Sequence, residues 1–156
     1  MSLREPVRVV IAGGALVVAT EAVQREWLSG ALTFRGRIDV PAFRKVLADL
    51  VSGRARSVAL ALPSERVWAL PLYELALMTA GHLRERGVGN AVTVVTPEDE
   101  PLEWFGPSAA AALEPLLAAR GVTVRTCSRP MALRGRALIL AGGGEIFADR
   151  VITPEA

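Results

Sequence analysis

The chain has 156 residues, 51% of them hydrophobic and 22% charged, which is enough apolar material for one folded domain and excludes a disordered or fibrous chain. Its 18 basic and 16 acidic residues leave a net charge of +2 spread along the sequence, which argues against a nucleic-acid partner. Cys127 is the single cysteine, so no intramolecular disulfide forms and a reducing, cytoplasmic setting is expected; no apolar stretch reaches the roughly 18 residues of a membrane span, and Met1 to Arg8 lacks the apolar core of a signal peptide.

In chain order, VRVVIAGGALVVAT from Val7 reads as a β-hairpin turning at Ala12-Gly13-Gly14, where glycine accepts the positive φ of a tight turn. Glu21 to Gly36 has no sustained period and reads as a connector, pinned by Trp27 and Phe34. Asp39 is read as the N-cap carboxylate of a helix with Pro41 in its first turn, an apolar stripe of Phe43, Val46, Leu47, Leu50 and Val51, and a stop at Gly53. Ser57 to Leu62 is wholly apolar after its first residue, as a strand buried on both faces requires. Pro71 to Arg86 predicts the longest helix, with Leu72, Leu75, Ala76, Thr79 and Leu83 on one face and Gly87 as its left-handed cap. Ala91 to Thr96 is the next strand. Pro107 opens a helix with a Leu113, Leu116, Leu117 stripe closed by Gly121, and Val122 to Cys127 follows as a strand.

Two strand-helix-strand crossovers of this length predict a parallel βαβαβ sheet, because a parallel return needs a dozen or more residues. Beyond it, Met131 to Leu133, Ala137 to Leu140 and Glu145 to Phe147 are short runs separated by Arg134-Gly135-Arg136 and Gly142-Gly143-Gly144, the spacing of an antiparallel meander. Val151 to Thr153 is read as a last parallel strand. The arginine pairs Arg54, Arg56 and Arg134, Arg136 flank strands and are read as solvated loop ends rather than a docking patch.

Open parallel sheets bind ligands beyond the carboxyl ends of their strands, which directs attention to the loops after Leu62 and Thr96. A dinucleotide site wants G-x-G-x-x-G in the first loop, so that backbone N–H groups approach a pyrophosphate. The chain has Pro63-Ser64-Glu65-Arg66-Val67-Trp68-Ala69-Leu70-Pro71 instead, with no glycine between Gly53 and Gly81. Two prolines remove amide donors and Trp68 and Leu70 occupy space, which argues against conventional NAD(P) binding. Ser64 and Arg66 are the side chains able to touch a phosphate in its place. After the second strand, Thr96-Pro97-Glu98-Asp99-Glu100 puts Glu98 where a carboxylate accepts ribose hydroxyls, although a charged surface loop is the preferred reading. Glu74 lies off the apolar face near the start of its helix, where it complements the helix dipole. His82 is read as a helix-surface residue and Cys127 as a small core residue of a buried strand. One histidine, one cysteine and no G-x-x-x-x-G-K exclude a metal centre, a Ser-His-Asp set and a P-loop. Val9-Val10-Ile11-Ala12-Gly13-Gly14 begins like an FAD-binding strand and turn, but lacks the third glycine and continues as a strand.

The ordered segments LVVAT (Leu16 to Thr20), GALTFRGRID (Gly30 to Asp39), LPLYELALMTA (Leu70 to Ala80), VTVVTPEDEPLEWFG (Val92 to Gly106) and FADRVIT (Phe147 to Thr153) resemble FAD-dependent pyridine nucleotide-disulfide oxidoreductases, in the branch of sulfide:quinone oxidoreductases and type II NADH dehydrogenases. The resemblance spans nearly the whole chain. It implies an enzyme in which an FAD-binding domain is interrupted by a second, NAD(P)-binding-like domain, and this chain is similar to that second domain. Glu21 stands where the family's crossover turn usually has glycine. Glu74 and Glu98 fall where the family carries a helix glutamate and a ribose-binding acid, whereas the fingerprint glycines have no counterpart.

These readings give an α/β fold, a Rossmann-like three-layer domain with a central parallel sheet, a C-terminal antiparallel β-meander and an N-terminal β-hairpin. Residues 1–36 are expected to be a hairpin and crossover segment of the flavin domain, and 37–156 the NAD(P)-binding-like domain. The expected function is that of a domain fragment of such an oxidoreductase, with a degenerate glycine fingerprint and no catalysis alone. Its cofactor-binding candidates are Pro63, Ser64, Arg66, Glu74, Thr96 and Glu98, with no catalytic residue and no metal. FAD belongs to the parent protein, and the expected partner is the missing flavin domain, with a homodimer as a further one. The alternatives are a non-catalytic interaction or dimerisation module docking through Trp68, Leu70 and Leu72, and a stand-alone nucleotide binder.

Overall fold

The computed structural model describes residues 8–12, 15–19, 27–89 and 91–155. Strands β1 (Arg8–Ala12) and β2 (Ala15–Ala19) pair antiparallel, Ala12 opposite Ala15, as the hairpin reading requires. The turn glycines 13 and 14 lie outside the described residues.

A five-stranded parallel sheet holds the rest together, in the order β3-β10-β4-β5-β6, with β3 Leu32–Phe34, β4 Ser57–Ala61, β5 Ala91–Val95, β6 Val122–Arg125 and β10 Arg150–Pro154. The crossovers are α1 (Val40–Val51), α2 (Leu70–Glu85) and α3 (Pro107–Ala119). Strand pleating sends alternate side chains to opposite faces, and β4 shows it directly. Val58 and Leu60 join a core with Phe43, Val46 and Leu50 of α1, Leu72, Ala76 and Leu83 of α2, and Leu113 and Leu117 of α3. Ala59 and Ala61 face the other way, into a second core with Leu28, Val95, Leu138 and Val151. That second face is roofed by an antiparallel meander of β7 (Pro130–Arg134), β8 (Ala137–Leu140) and β9 (Glu145–Phe147), paired in that order. Helices, parallel sheet and meander are the three layers, the Rossmann-like α/β build the sequence predicts.

Local chemistry explains the boundaries. Gly87, at φ 66°, caps α2: its N–H bonds the Arg84 carbonyl and the Val88 N–H bonds that of Leu83, the paired bonds of a Schellman end. The final parallel strand, expected over Val151 to Thr153, extends one residue at each end and sits between β3 and β4 rather than at an edge.

The structure corrects four details. The stretch read as a connector contains β3, a three-residue edge strand parallel to β10. It is anchored by Leu28, 2% exposed, and by the edge-to-face contact of Phe34 on Phe43 at 5.6 Å, whereas Trp27 is 40% exposed. Asp39 sits at the N-cap but makes no cap bond; its carboxylate accepts the Arg35 N–H at 2.8 Å and the guanidinium at 2.8 and 2.9 Å, which holds its carboxyl below the usual aspartate value. Leu116 points to solvent, and α3 buries Ala110, Leu113 and Leu117 instead. β6 stops at Arg125, which leaves Cys127 exposed in the following turn.

At the amino ends of β4 and β10, a buried acid, Asp49, and a half-buried one, Asp149, are met by arginines. Asp49 accepts Arg54 Nε at 2.9 Å and Arg150 Nη2 at 2.8 Å. Asp149 accepts the Arg56 N–H at 2.7 Å and pairs with Arg136. Both carboxyls are held below the ordinary value, Asp49 chiefly by Arg150 and then Arg54, Asp149 chiefly by the Arg56 amide.

Candidate functional site

A cleft of about 340 Å³ opens at the carboxyl ends of β4 and β5, where parallel sheets place ligands. One side is the loop after β4, with Glu65, Arg66, Val67, Trp68 and Ala69; the other is the loop after β5, with Glu98, Trp104 and Phe105. Leu102 makes the second wall possible. At φ 59°, a left-handed conformation unusual for a non-glycine residue, it turns the chain into the short 3-10 segment Glu103–Phe105 while staying buried itself. Trp68, Trp104 and Phe105 are left 64%, 76% and 52% exposed around the opening.

Glu98 is the polar floor. It is 2% exposed, and its Oε2 accepts the Tyr73 hydroxyl and the Thr96 hydroxyl, each at 2.8 Å. The Thr96 Oγ1 in turn accepts the Glu98 N–H at 3.2 Å, a local loop that fixes the turn. The β5–β6 ladder continues past the strand ends to hold the backbone: Cys127 N–H donates to the Glu98 carbonyl and Ser128 N–H to that of Thr96, both at 2.8 Å. Burial and then the neighbouring Glu98 push the Tyr73 phenol far above its ordinary value, so Tyr73 stays a donor across the physiological range. Among the described residues Glu98 Oε1 accepts no hydrogen bond, and Glu98 lines the cleft. Among the described residues Glu98 has no ion-pair partner.

The structure brings Arg66 and Glu98 to this cleft, with Thr96 buried against Glu98, and leaves the other candidates apart. Pro63 is buried directly after β4. Ser64 Oγ accepts the Arg66 N–H at 3.2 Å and its carbonyl accepts the Val67 N–H, so the residue shapes the turn. Glu74 is exposed on α2 and does not line the cleft. The surface-loop reading of Glu98 is overturned, because the turn drops the carboxylate onto Tyr73 instead of presenting it to solvent. Sequence reasoning missed Tyr73 itself. Its signal was the 73, 76, 80, 83 spacing, which puts the only tyrosine on the buried stripe of α2 with Ala76, Ala80 and Leu83. Cys127 is corrected as well: it is exposed, at φ 49°, and its thiol donates to Asp99 Oδ1 at 3.4 Å, which raises its pKa ahead of the effect of burial.

The first loop has none of the glycines of a dinucleotide fingerprint. α2 starts at Leu70 after the N-cap Ala69, with Pro71 at the next position and no glycine before it, so few free amides converge on a pyrophosphate. No group of His, Cys, Asp and Glu among the described residues is arranged to hold a metal ion, and none of their helices is long and apolar enough to cross a membrane.

The fold is that of a Rossmann-like α/β domain. Residues 74–139 match the family model for pyridine nucleotide-disulphide oxidoreductase, and the resemblance read from the sequence is borne out as a resemblance. The sulfide:quinone oxidoreductase of Aquifex aeolicus is similar with a TM-score of 0.68 at 22% identity, over 82% of this chain and 32% of that one. A ferredoxin reductase for the CYP199A2 system from Rhodopseudomonas palustris gives 0.64 at 14% identity, over 81% and 29%. The reduced CoADR-RHD of Bacillus anthracis gives 0.56 at 20%, over 82% and 21%. This chain therefore spans less than a third of the length of each of these structures. No curated protein sequence matches it.

Proposed function

We propose that this chain is the NAD(P)-binding-like domain of an FAD-dependent pyridine nucleotide-disulfide oxidoreductase, with a degenerate fingerprint loop that no longer takes the dinucleotide and no catalysis of its own. One observation carries the reading. The loop between β4 and α2, where glycine amides cradle the pyrophosphate in such sites, is built from Pro63, Trp68 and Pro71, with Ser64 spent on its own turn. The family match and the three-layer fold support membership of a larger flavoprotein, with the flavin domain as the partner of this one; the single cysteine is what favours a cytoplasmic location. Residues up to about 36 join this domain to the flavin domain in that reading, although β3 already lies within the parallel sheet.

Titrating NADH, NADPH and NAD against the protein, with Trp68 and Trp104 as fluorescent reporters in the cleft, tests it. A flat response up to millimolar ligand is expected. Saturable micromolar binding that Glu98→Ala weakens would restore the dinucleotide site and sink the proposal.

A further inference from the structure

We infer that the cleft over Glu98 binds a planar organic cation carrying N–H donors, of the amidinium, guanidinium or protonated aminoheterocycle class. The inference rests on the reading above, that a dinucleotide does not occupy this cleft.

Two independent features point to such a ligand. The first is Glu98. A buried carboxylate is costly unless a charge or enough donors compensate it, and elsewhere in this domain Asp49, Asp149 and Asp39 each have an arginine. Among the described residues Glu98 has only two neutral hydroxyls, both on Oε2, while its Oε1 takes no donor and the residue lines the cleft. A cation with N–H groups supplies the missing charge and donors at that oxygen. The second is the wall. Trp68, Trp104 and Phe105 border one opening as exposed aromatic surface, and aromatic faces attract cations and stack on planar groups. The volume of about 340 Å³ lies at the small end of ligand sites and suits a single ring with one charged substituent.

Arg66 and Glu65 also line the rim. Glu65 is engaged with Arg129 at 3.2 Å, and the exposed Arg66 side chain makes no ion pair with Glu98. Arg66 therefore opposes a bound cation weakly, through solvent, and its removal tightens binding.

Benzamidine is the probe, with benzamide as its neutral and benzoate as its anionic counterpart, followed by tryptophan fluorescence and calorimetry on the whole chain. Benzamidine should bind saturably, benzamide at least about tenfold more weakly, and benzoate not at all. Glu98→Gln should cost benzamidine at least about tenfold, Trp104→Ala about two- to fivefold, and Arg66→Gln should improve it. Should Glu98→Gln lower the melting temperature, the exposed Trp104 variant and the benzamide comparison carry the test without it. Equal binding of benzamide or benzoate, no response to benzamidine at about 10 mM, or full affinity in a folded Glu98→Gln would each overturn the inference. A parallel NADH titration separates the two failures. Binding of neither ligand removes this inference and leaves the proposed function standing, whereas NADH displacing benzamidine removes the reading on which both rest.

Discussion

At the amino ends of the parallel strands Asp49 and Asp149 are met by arginines, whereas at the carboxyl ends Glu98 is met by a tyrosine and a threonine hydroxyl. The same sheet thus holds buried carboxylates in two ways. The arginine pairs are complete in themselves and need nothing more; they fix β10 beside β4. The Glu98 arrangement satisfies one oxygen and leaves the other without a donor among the described residues, in a side chain that lines a cleft. Charge that serves only the fold is neutralised within the fold, and charge left open marks where a ligand makes up the difference.

The sharpest way to break this contrast is at Tyr73, 1% exposed beneath Glu98. Tyr73→Ala removes both a core ring and a donor, and should cost about 3–5 kcal/mol in urea denaturation. Tyr73→Phe keeps the ring and removes the donor, at about 1.5–3 kcal/mol. The pair separates packing from hydrogen bonding: equal losses would mean that the ring contributes nothing, and an unchanged Tyr73→Phe that the hydroxyl contributes nothing.

The pH dependence should run in opposite directions at the two ends. The native phenol is raised above its unfolded value, so its contribution is fully present below the ordinary tyrosine range and is lost as pH rises through and beyond it. Tyr73 is the only tyrosine, so tyrosinate absorbance should appear only with alkaline unfolding. Asp49 is the reverse case: its native carboxyl is lowered, so its contribution is present above the ordinary aspartate value and is lost as pH falls through the native one. Asp49→Asn should therefore melt earlier than the wild type at neutral pH, and the two melting curves should converge in acid. A gap that persists there would assign the loss to packing. The smallest effect belongs to Arg54→Gln, at most about 1 kcal/mol, because the Arg54 side chain is 66% exposed and Arg150 still holds Asp49.

How far the sequence discloses this molecule follows the same division. Periodic apolar runs made β4, α2, β5, α3 and the meander legible, since each buries a face that its own spacing declares. β3 was not, because Leu32-Thr33-Phe34 is too short to show a period and its pairing partner lies at Ile152 to Pro154. The position of Glu98 was legible as the end of a strand, but its burial depends on Tyr73, 25 residues away in sequence. Cys127 was misplaced for a related reason. The alternating run Val122 to Cys127 looked like one strand, but Cys127 turns left-handed where its N–H bonds the Glu98 carbonyl.

That turn has a consequence for the chemistry of the one sulfur in a cysteine side chain. Exposure alone would suggest a convenient handle for alkylating reagents and a point of attack for peroxide. Both react with the thiolate, and the Asp99 carboxylate beside Cys127 disfavours it. Cys127 should label slowly at neutral pH despite its accessibility, and faster once Asp99 is replaced by Asn. The only thiol of the chain is thus kept in its least reactive form.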